Sequence, residues 1–284
     1  RFVSQEMKIA PKLGIIAGSG DLPLRLVEVC QSTDRKFFVL ALEGQGEWKR
    51  FPKNFVTKIR FGDFGLGIKL LQENLVKELV FAGKVCRPSL SELRPDSRGA
   101  RFLSRLGRSW VGDDSLLTAI IKEFEAEGFR VVGSQEILKG YLATEGIYGT
   151  VKPGVDGIAD AKRGFELLQK LGVEDIGQAA IVQQGNVLGI EAAEGTDELI
   201  RRCKTLQKIG AGGVLIKSPK TGQEFRIDLP TIGETTVKLA NECGLSGIAV
   251  EAGGVFVIEL QRMIELADAN GIFIIGIQPS SFRK

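Results

Sequence analysis

Five short apolar runs, Leu13 to Ala17, Lys36 to Leu42, Phe55 to Phe61, Glu78 to Phe81 and Phe129 to Val132, alternate with helix-length segments over the first half of the chain. A strand that runs parallel to its predecessor needs a crossover of a dozen or more residues, and a helix is the usual one. This rhythm predicts a mainly parallel sheet flanked by helices, the doubly wound plan, with a ligand crevice beyond the carboxyl ends of the strands. The second half reads differently. A helical stretch, Ile158 to Leu171, precedes Ala179 to Gln183 and Val187 to Glu191, two strands around a Gly185-Asn186 turn, which predicts a hairpin. Val214 to Lys217 with Glu224 to Leu229 predicts a second hairpin, Thr231 to Cys243 a helix, and Gly247 to Glu251 with Val255 to Ile258, around Gly253-Gly254, a third hairpin.

The expected architecture is α/β, an N-terminal Rossmann-like doubly wound domain plus a C-terminal mixed α+β domain. Residues 140–157 hold five glycines and a proline, as a connection between domains does. The divisions are 1–138 for a nucleotide- or phosphate-contacting domain, 139–157 for the linker and 158–284 for the catalytic domain. Charge follows this division: 22 basic against 17 acidic side chains over 1–138, and 16 against 18 over 139–284.

Composition removes whole classes of chemistry. The chain has no histidine, which excludes Ser-His-Asp and Cys-His nucleophilic sites, His-ligated zinc and imidazole acid–base catalysis. Any catalysis must rest on carboxylates, lysines, hydroxyls or a metal held by oxygen. The four cysteines, Cys30, Cys86, Cys203 and Cys243, form no CxxC pair and read as reduced thiols. The net charge of +3 is too balanced for bulk nucleic-acid binding. No apolar run approaches the roughly 18 residues of a bilayer span, and Arg1 to Glu6 lacks the apolar core of a signal peptide, so a cytoplasmic location is expected.

Several stretches can carry chemistry. Gly18-Ser19-Gly20-Asp21-Leu22-Pro23 follows the first strand and opens the first helix, where backbone N–H groups and the helix dipole favour a phosphate. Pro23 stands where a dinucleotide fingerprint wants a third small residue, and a purely structural tight turn is the alternative. Glu43, ending the second strand, is a candidate ribose acceptor. Between Lys84 and Arg108 seven basic residues interleave with Leu93, Phe102, Leu103 and Leu106, either to meet a phosphate and an acyl chain or membrane surface or as a solvated helix face. Asp113 and Asp114 precede an apolar helix from Leu116 to Phe124 and suit capping or magnesium. Glu191, Glu194, Asp197 and Glu198 crowd a strand end and a helix start, suiting either a cation or the helix dipole. Lys217, Lys220, Arg226, Asp228 and Thr231 gather cations, a carboxylate and a hydroxyl in one stretch ending at Gly233. Those residue types suit phosphoanhydride cleavage: cations offset charge on phosphate oxygens while an aspartate holds magnesium or orients water. Glu251 ends another apolar strand and can join them.

The ordered set Gly14-Ile-Ile-Ala-Gly-Ser-Gly-Asp-Leu-Pro23, Arg94-Pro-Asp96, Gly112-Asp-Asp-Ser-Leu-Leu117, Asp175-Ile-Gly-Gln178, Glu194-Gly-Thr-Asp197, Arg226-Ile-Asp-Leu-Pro-Thr-Ile-Gly233 and Gly247-Ile-Ala-Val-Glu-Ala-Gly253 resembles the metal-dependent UDP-2,3-diacylglucosamine pyrophosphatases of lipid A biosynthesis, the type unrelated to the calcineurin-like phosphoesterases. The resemblance implies hydrolysis of UDP-2,3-diacylglucosamine to UMP and 2,3-diacylglucosamine 1-phosphate (lipid X), with Mg2+ or another divalent cation and an acyl-lined cleft between two domains. It implies that Asp228 is essential to catalysis. In that frame Asp228 binds the metal or orients water, Lys217, Lys220 and Arg226 neutralise the diphosphate, and Glu194, Asp197 and Glu251 are secondary metal or water ligands. Gly18, Ser19, Gly20, Leu22 and Pro23, with Thr231 and Gly233, contact the substrate. Transient contact with the cytoplasmic surface of the inner membrane is expected, nucleic acid is not a partner, and a homodimer is left open. Two rivals stand beside this reading: an NAD(P)-dependent oxidoreductase, against which Pro23 speaks, and a non-catalytic nucleotide-sugar or lipid-binding module.

Overall fold

A computed structural model describes residues 10–45, 48–85, 94–106, 113–174, 176–220 and 229–282. The described chain divides into two compact units between Lys139 and Gly140.

The first unit runs β1 (Leu13–Ala17), α1 (Leu22–Ser32), β2 (Phe37–Leu42), β3 (Val56–Ile59), α2 (Phe64–Glu73), β4 (Glu78–Ala82), α3 (Ser97–Leu106), α4 (Asp113–Ala126), β5 (Arg130–Val131) and α5 (Ser134–Ile137). Its five strands pair in the order β3-β2-β1-β4-β5, every pair parallel. The order reverses between β1 and β4, the switch point at which doubly wound sheets open a crevice. Alternation along each strand divides the side chains between two faces. Phe38, Leu40, Leu79 and Phe81 form one core with Ile68 and Leu71 of α2 and Ile121 and Phe124 of α4. The other face buries Leu13, Ile15 and Val39, and α1 buries Leu26, Val27 and Cys30.

The basic and apolar residues of α3 are committed inside this unit. Phe102 is buried and stacks on Phe64 at 5.2 Å between ring centroids, worth about 2 kcal/mol by burial alone. Arg98 pairs with Glu127, and Arg105 with Glu123 at 2.7 Å. The helix is therefore bound to α2 by its buried ring and to the C-terminal end of α4 by two of its arginines, while Arg101 and Arg105 stay exposed as a solvated face would have them; 86–93 and 107–112 lie outside the described residues. Asp96 joins α3 to α2. One carboxylate oxygen accepts the N–H groups of Arg98 and Gly99 at 3.1 and 2.7 Å, and the other accepts that of Leu66 at 3.1 Å. Each helix start leaves orphan N–H groups, and one side chain caps two of them.

The second unit runs β6 (Gly146–Tyr148), α6 (Val155–Gly172), β7 (Ala179–Gln183), β8 (Asn186–Ile190), α7 (Thr196–Cys203), β9 (Val214–Lys217), β10 (Thr231–Ile232), α8 (Glu234–Glu242), β11 (Gly247–Glu251), β12 (Phe256–Val257), α9 (Leu260–Ala269) and β13 (Phe273–Ile277). A mixed six-stranded sheet has the order β6-β13-β11-β9-β7-β8, and β10 pairs with β12 separately. One face packs Ala180, Val182, Ile216 and Ala249 against Phe165 and Leu168 of α6. The other packs Ile181, Leu215, Ile248 and Ile274 against Ile200, Val237 and Met263 of α7, α8 and α9.

Several expectations need correcting. The glycine-rich stretch 139–157 is not simply a connection: Gly146–Tyr148 is an edge strand, antiparallel to β13. The first hairpin exists, but its loop is Gln184-Gly185, because Gln183 pairs with Asn186. Both loop residues have positive φ, 50° and 76°, the signature of a type I′ turn. Buried Asp160 of α6 accepts both of their N–H groups, at 2.9 and 2.7 Å. The second hairpin is excluded as drawn, since β9 is flanked by β7 and parallel β11 and has no free edge; 224–228 lie outside the described residues. The third is also excluded: β11 pairs in parallel with β9 and β13, while β12 pairs in parallel with β10. Short runs buried on both faces read as continuous apolar segments, and the turn signals after them mark crossovers. The helix expected from Thr231 begins at Glu234, because Thr231–Ile232 is that paired strand. No described helix is long and apolar enough to cross a membrane.

Candidate functional site

Strands β9, β11 and β13 are parallel, so their carboxyl ends share one edge of the sheet, the edge at which open α/β sheets hold ligands. Antiparallel β7 begins there and β8 ends there. Lys217 closes β9 only 7% exposed, and its Nζ donates to the Thr231 carbonyl at 2.8 Å. An ammonium so far from water needs such acceptors, and this one ties the end of β9 to the start of β10. Ser218 donates its N–H to the Gln178 carbonyl at 3.0 Å and its hydroxyl to the Glu251 carboxylate. Glu251 is the last residue of β11. The reversal that follows needs Gly253, with φ 75°, whose N–H donates to the Ala143 carbonyl at 2.7 Å. Lys217, Ser218, Thr231 and Glu251 are thus gathered at one strand-end locus by backbone register and two side-chain bonds.

The remaining expected residues fall around this edge or away from it. Half-buried Lys220 follows Pro219; Arg226 and Asp228 lie outside the described residues. Gly233 precedes α8, its N–H donating to Thr236 Oγ1 at 3.3 Å. Glu234, in the first turn, pairs with Lys238 at 2.5 Å and Arg262 at 2.8 Å. Those bonds, that of Lys238 foremost, hold its carboxyl below the usual range. Glu194 and Asp197 serve the start of α7. Glu194 accepts the Ala192 N–H at 3.0 Å and is gripped by Arg202 at 2.9 and 3.0 Å. Backbone hydrogen bonding first and Arg202 second keep it below the usual range. Asp197 is exposed in the first turn, where a negative charge complements the dipole. Among the described residues no three acidic or thiol side chains come together as a metal site; Asp228, the leading member of the expected ligand set, lies outside them.

The turn after β1 is stitched shut. Gly18 donates its N–H to the Ala82 carbonyl at 2.9 Å, Ser19 and Lys84 exchange backbone hydrogen bonds at 2.8 and 2.9 Å, and Ser19 Oγ donates to the Lys84 carbonyl at 2.8 Å. A Cβ on Gly18 would lie 2.5 Å from the Lys84 carbonyl oxygen; only glycine permits the approach. Three donors that a pyrophosphate would seek, the two N–H groups and the hydroxyl, are engaged internally. Pro23 has no N–H, Leu22 and Pro23 are buried, and Asp21 pairs with Arg50 at 2.9 Å. Gly20, with φ 96°, completes the turn. This geometry fits the structural reading of the turn at Gly18 and Ser19. Glu43, the ribose candidate, lies 3.8 Å from Lys58.

Sequence reasoning passed over Ser218 as a site residue, whereas Glu191 stood among the four carboxylates noted at the strand end and helix start. Glu191 accepts the Gln178 N–H at 3.3 Å and the Thr196 hydroxyl at 3.1 Å, fastening β8 beside Ser218. The only signal for Ser218 was position at the carboxyl end of an apolar run.

Comparison with known proteins decides the family. The LpxI N-terminal domain matches residues 12–141 and the LpxI C-terminal domain residues 144–275. The chain is 39% identical, over 94% of its length and 98% of the relative's, to the UDP-2,3-diacylglucosamine pyrophosphatase LpxI of Caulobacter vibrioides. The chain belongs to the LpxI family. Against that membership, the stretches that carry the LpxI resemblance divide by role in this fold. Gly14 to Pro23 forms β1 and its closed turn, Asp96 is a double helix cap, Glu194 to Asp197 starts α7, and Gly247 to Gly253 is β11 with Glu251 at its end. Among solved structures, the N5-carboxyaminoimidazole synthase of Aspergillus clavatus aligns over 71% of this chain and 45% of its own, at 13% identity and a TM-score of 0.26, too distant to bear on the fold or the site.

Proposed function

We propose that this chain hydrolyses the pyrophosphate of UDP-2,3-diacylglucosamine, releasing UMP and 2,3-diacylglucosamine 1-phosphate. The observation that carries this reading is the 39% identity to a UDP-2,3-diacylglucosamine pyrophosphatase over almost the full length of both chains. The chemistry agrees. A chain without histidine has carboxylates, lysines and hydroxyls for the work, and magnesium asks for one or two carboxylates plus substrate phosphate oxygens.

Asp228 is the residue on which catalysis rests in this proposal, orienting the attacking water or holding the cation. Glu251, an oxygen donor at the strand-end edge and bonded to Ser218, fits as the second carboxylate. Glu194, already neutralised by Arg202, and Asp197 are assigned to α7 instead. When bound, magnesium supplies charge neutralisation at phosphate oxygens. Lys217 fixes the Thr231 backbone at 2.8 Å and so sets where the segment leading to α8 begins. Lys220 and Arg226 are the cations assigned to the diphosphate, and Thr231 and Gly233 are assigned contacts with substrate. Acyl burial at about 0.8 kcal/mol per methylene supplies much of the affinity.

The test is turnover of the purified protein and its Asp228→Ala variant, matched for folding by circular dichroism. UMP release by the parent and a loss of at least about a thousandfold in the variant, on the order of removing a group that acts only in the transition state, support the assignment. Equal rates would remove Asp228 from the reaction.

A further inference from the structure

Between Trp48 and Arg60 the chain carries five cations, Lys49, Arg50, Lys53, Lys58 and Arg60, and no carboxylate. This segment leads into and forms β3, the edge strand of the first sheet. Two large aromatic side chains are exposed on it, Trp48 at 37% and Phe55 at 43%. Register places them on one face. Lys58, 4.8 Å from the Trp48 ring centroid, pairs with Ala41 of β2. Phe55 lies 5.0 Å from Phe37, four residues before Ala41, and residues four apart on a strand point the same way. Both rings therefore emerge beside β3 on the face of Phe37 and Ala41. Around them Asp21 pairs with Arg50, Glu43 with Lys58 and Asp63 with Arg60, while Lys49 and Lys53 are exposed without a carboxylate partner among the described residues.

We infer that this edge docks on an anionic phospholipid bilayer. Exposed Trp and Phe beside lysines are the side chains that settle at the headgroup boundary, and each unneutralised lysine adds about fivefold in affinity for an anionic surface. Stacking of nucleic-acid bases is the other use of aromatics among cations. Here one face of Trp48 is covered by Lys58 and Phe55 leans on Phe37, so the rings offer edges more than open platforms. The docking gives a chain without a described membrane-crossing helix access to a diacyl substrate, and in that purpose it rests on the proposed function.

Vesicle flotation tests it. The parent is expected to float with vesicles of phosphatidylethanolamine and phosphatidylglycerol, to be released by salt, and not to float with phosphatidylcholine alone. Lys49→Gln/Lys53→Gln should weaken partitioning about 25-fold at about fivefold per cation. Trp48→Ala/Phe55→Ala should abolish flotation, and in a Trp110→Phe background Trp48 emission should shift to the blue on adding the anionic vesicles. Turnover of detergent-dispersed substrate by both double variants should stay at the parental level, which shows that they fold. Failure of the parent to float, flotation of the variants like the parent, or displacement by a single-stranded oligonucleotide would each overturn the inference. Flotation as expected in a protein that releases no UMP would leave the docking standing and remove the substrate assignment.

Discussion

Replacing Asp96 tests whether a residue within the family resemblance is there for packing. Its carboxylate accepts Leu66 N–H with one oxygen and Arg98 and Gly99 N–H with the other, at 3.1, 3.1 and 2.7 Å. It therefore caps α3 in the ordinary way and α2 from outside that helix. Loss of an N-cap costs about 1 kcal/mol, so Asp96→Ala should destabilise the first unit by about 2 kcal/mol. With a urea dependence of about 2 kcal/mol per molar, the unfolding midpoint should fall by about 1 M. Asp96→Asn retains one acceptor oxygen but sets an amide donor against the remaining N–H. It should lose one cap and cost about 1 kcal/mol. The assay is equilibrium urea unfolding followed by circular dichroism. An alanine variant within about 0.5 kcal/mol of the parent, below the usual value of a single cap, would refute the double-cap reasoning, as would an asparagine variant as unstable as the alanine one.

Further outcomes follow from the second unit. Asp160→Ala, which orphans the Gln184 and Gly185 N–H groups, should destabilise by roughly 2–4 kcal/mol at about 1–2 per donor; chemical denaturation reads it, and a loss below about 1 kcal/mol would contradict it. Asp268 accepts the Thr150 N–H at 2.8 Å, which holds its carboxyl below the ordinary value. Its stabilising effect is complete above the unfolded value of about 3.9 and is lost as pH falls through the lower folded value. The melting temperature of Asp268→Asn should therefore trail the parent by a constant margin above about pH 5 and converge with it in stronger acid; a gap that widens on acidification would reverse the sign. Glu251→Gln should raise the magnesium concentration for half-maximal turnover by about 10-fold or more, read by titration, and an unchanged midpoint would remove Glu251 from the metal proposal.

The parallel sheet of the first unit was readable because each strand is an uninterrupted apolar run separated from the next by a helix-length crossover. The β7–β8 hairpin was readable for a local reason too, although its turn lies one residue earlier than the glycine–asparagine pair indicates. Local signals failed where pairing is long-range. The Ser218-Pro219 and Gly253-Gly254 turns look like hairpin loops, yet Val214–Lys217 and Gly247–Glu251 are neighbours in parallel, joined through α8 and each buried on both faces. Of the candidate site, the locus at Lys217, Thr231 and Glu251 was legible as polar residues at the ends of apolar runs. The bond from Ser218 to Glu251 and the clamp of Arg202 on Glu194 were not, because each joins separate elements. Nor does spacing alone reveal that Asp96 caps two helices, since Leu66 lies thirty residues before it.

The central claim is cleavage of a phosphoanhydride, and phosphorus NMR of the purified protein with UDP-2,3-diacylglucosamine tests it most directly. With magnesium, the paired diphosphate resonances should disappear and two phosphomonoester resonances should grow in equal amounts, matching UMP and 2,3-diacylglucosamine 1-phosphate; with chelator the spectrum should stay that of the substrate. Persistence of the diphosphate resonances in the presence of folded protein and magnesium, manganese or cobalt would contradict the account.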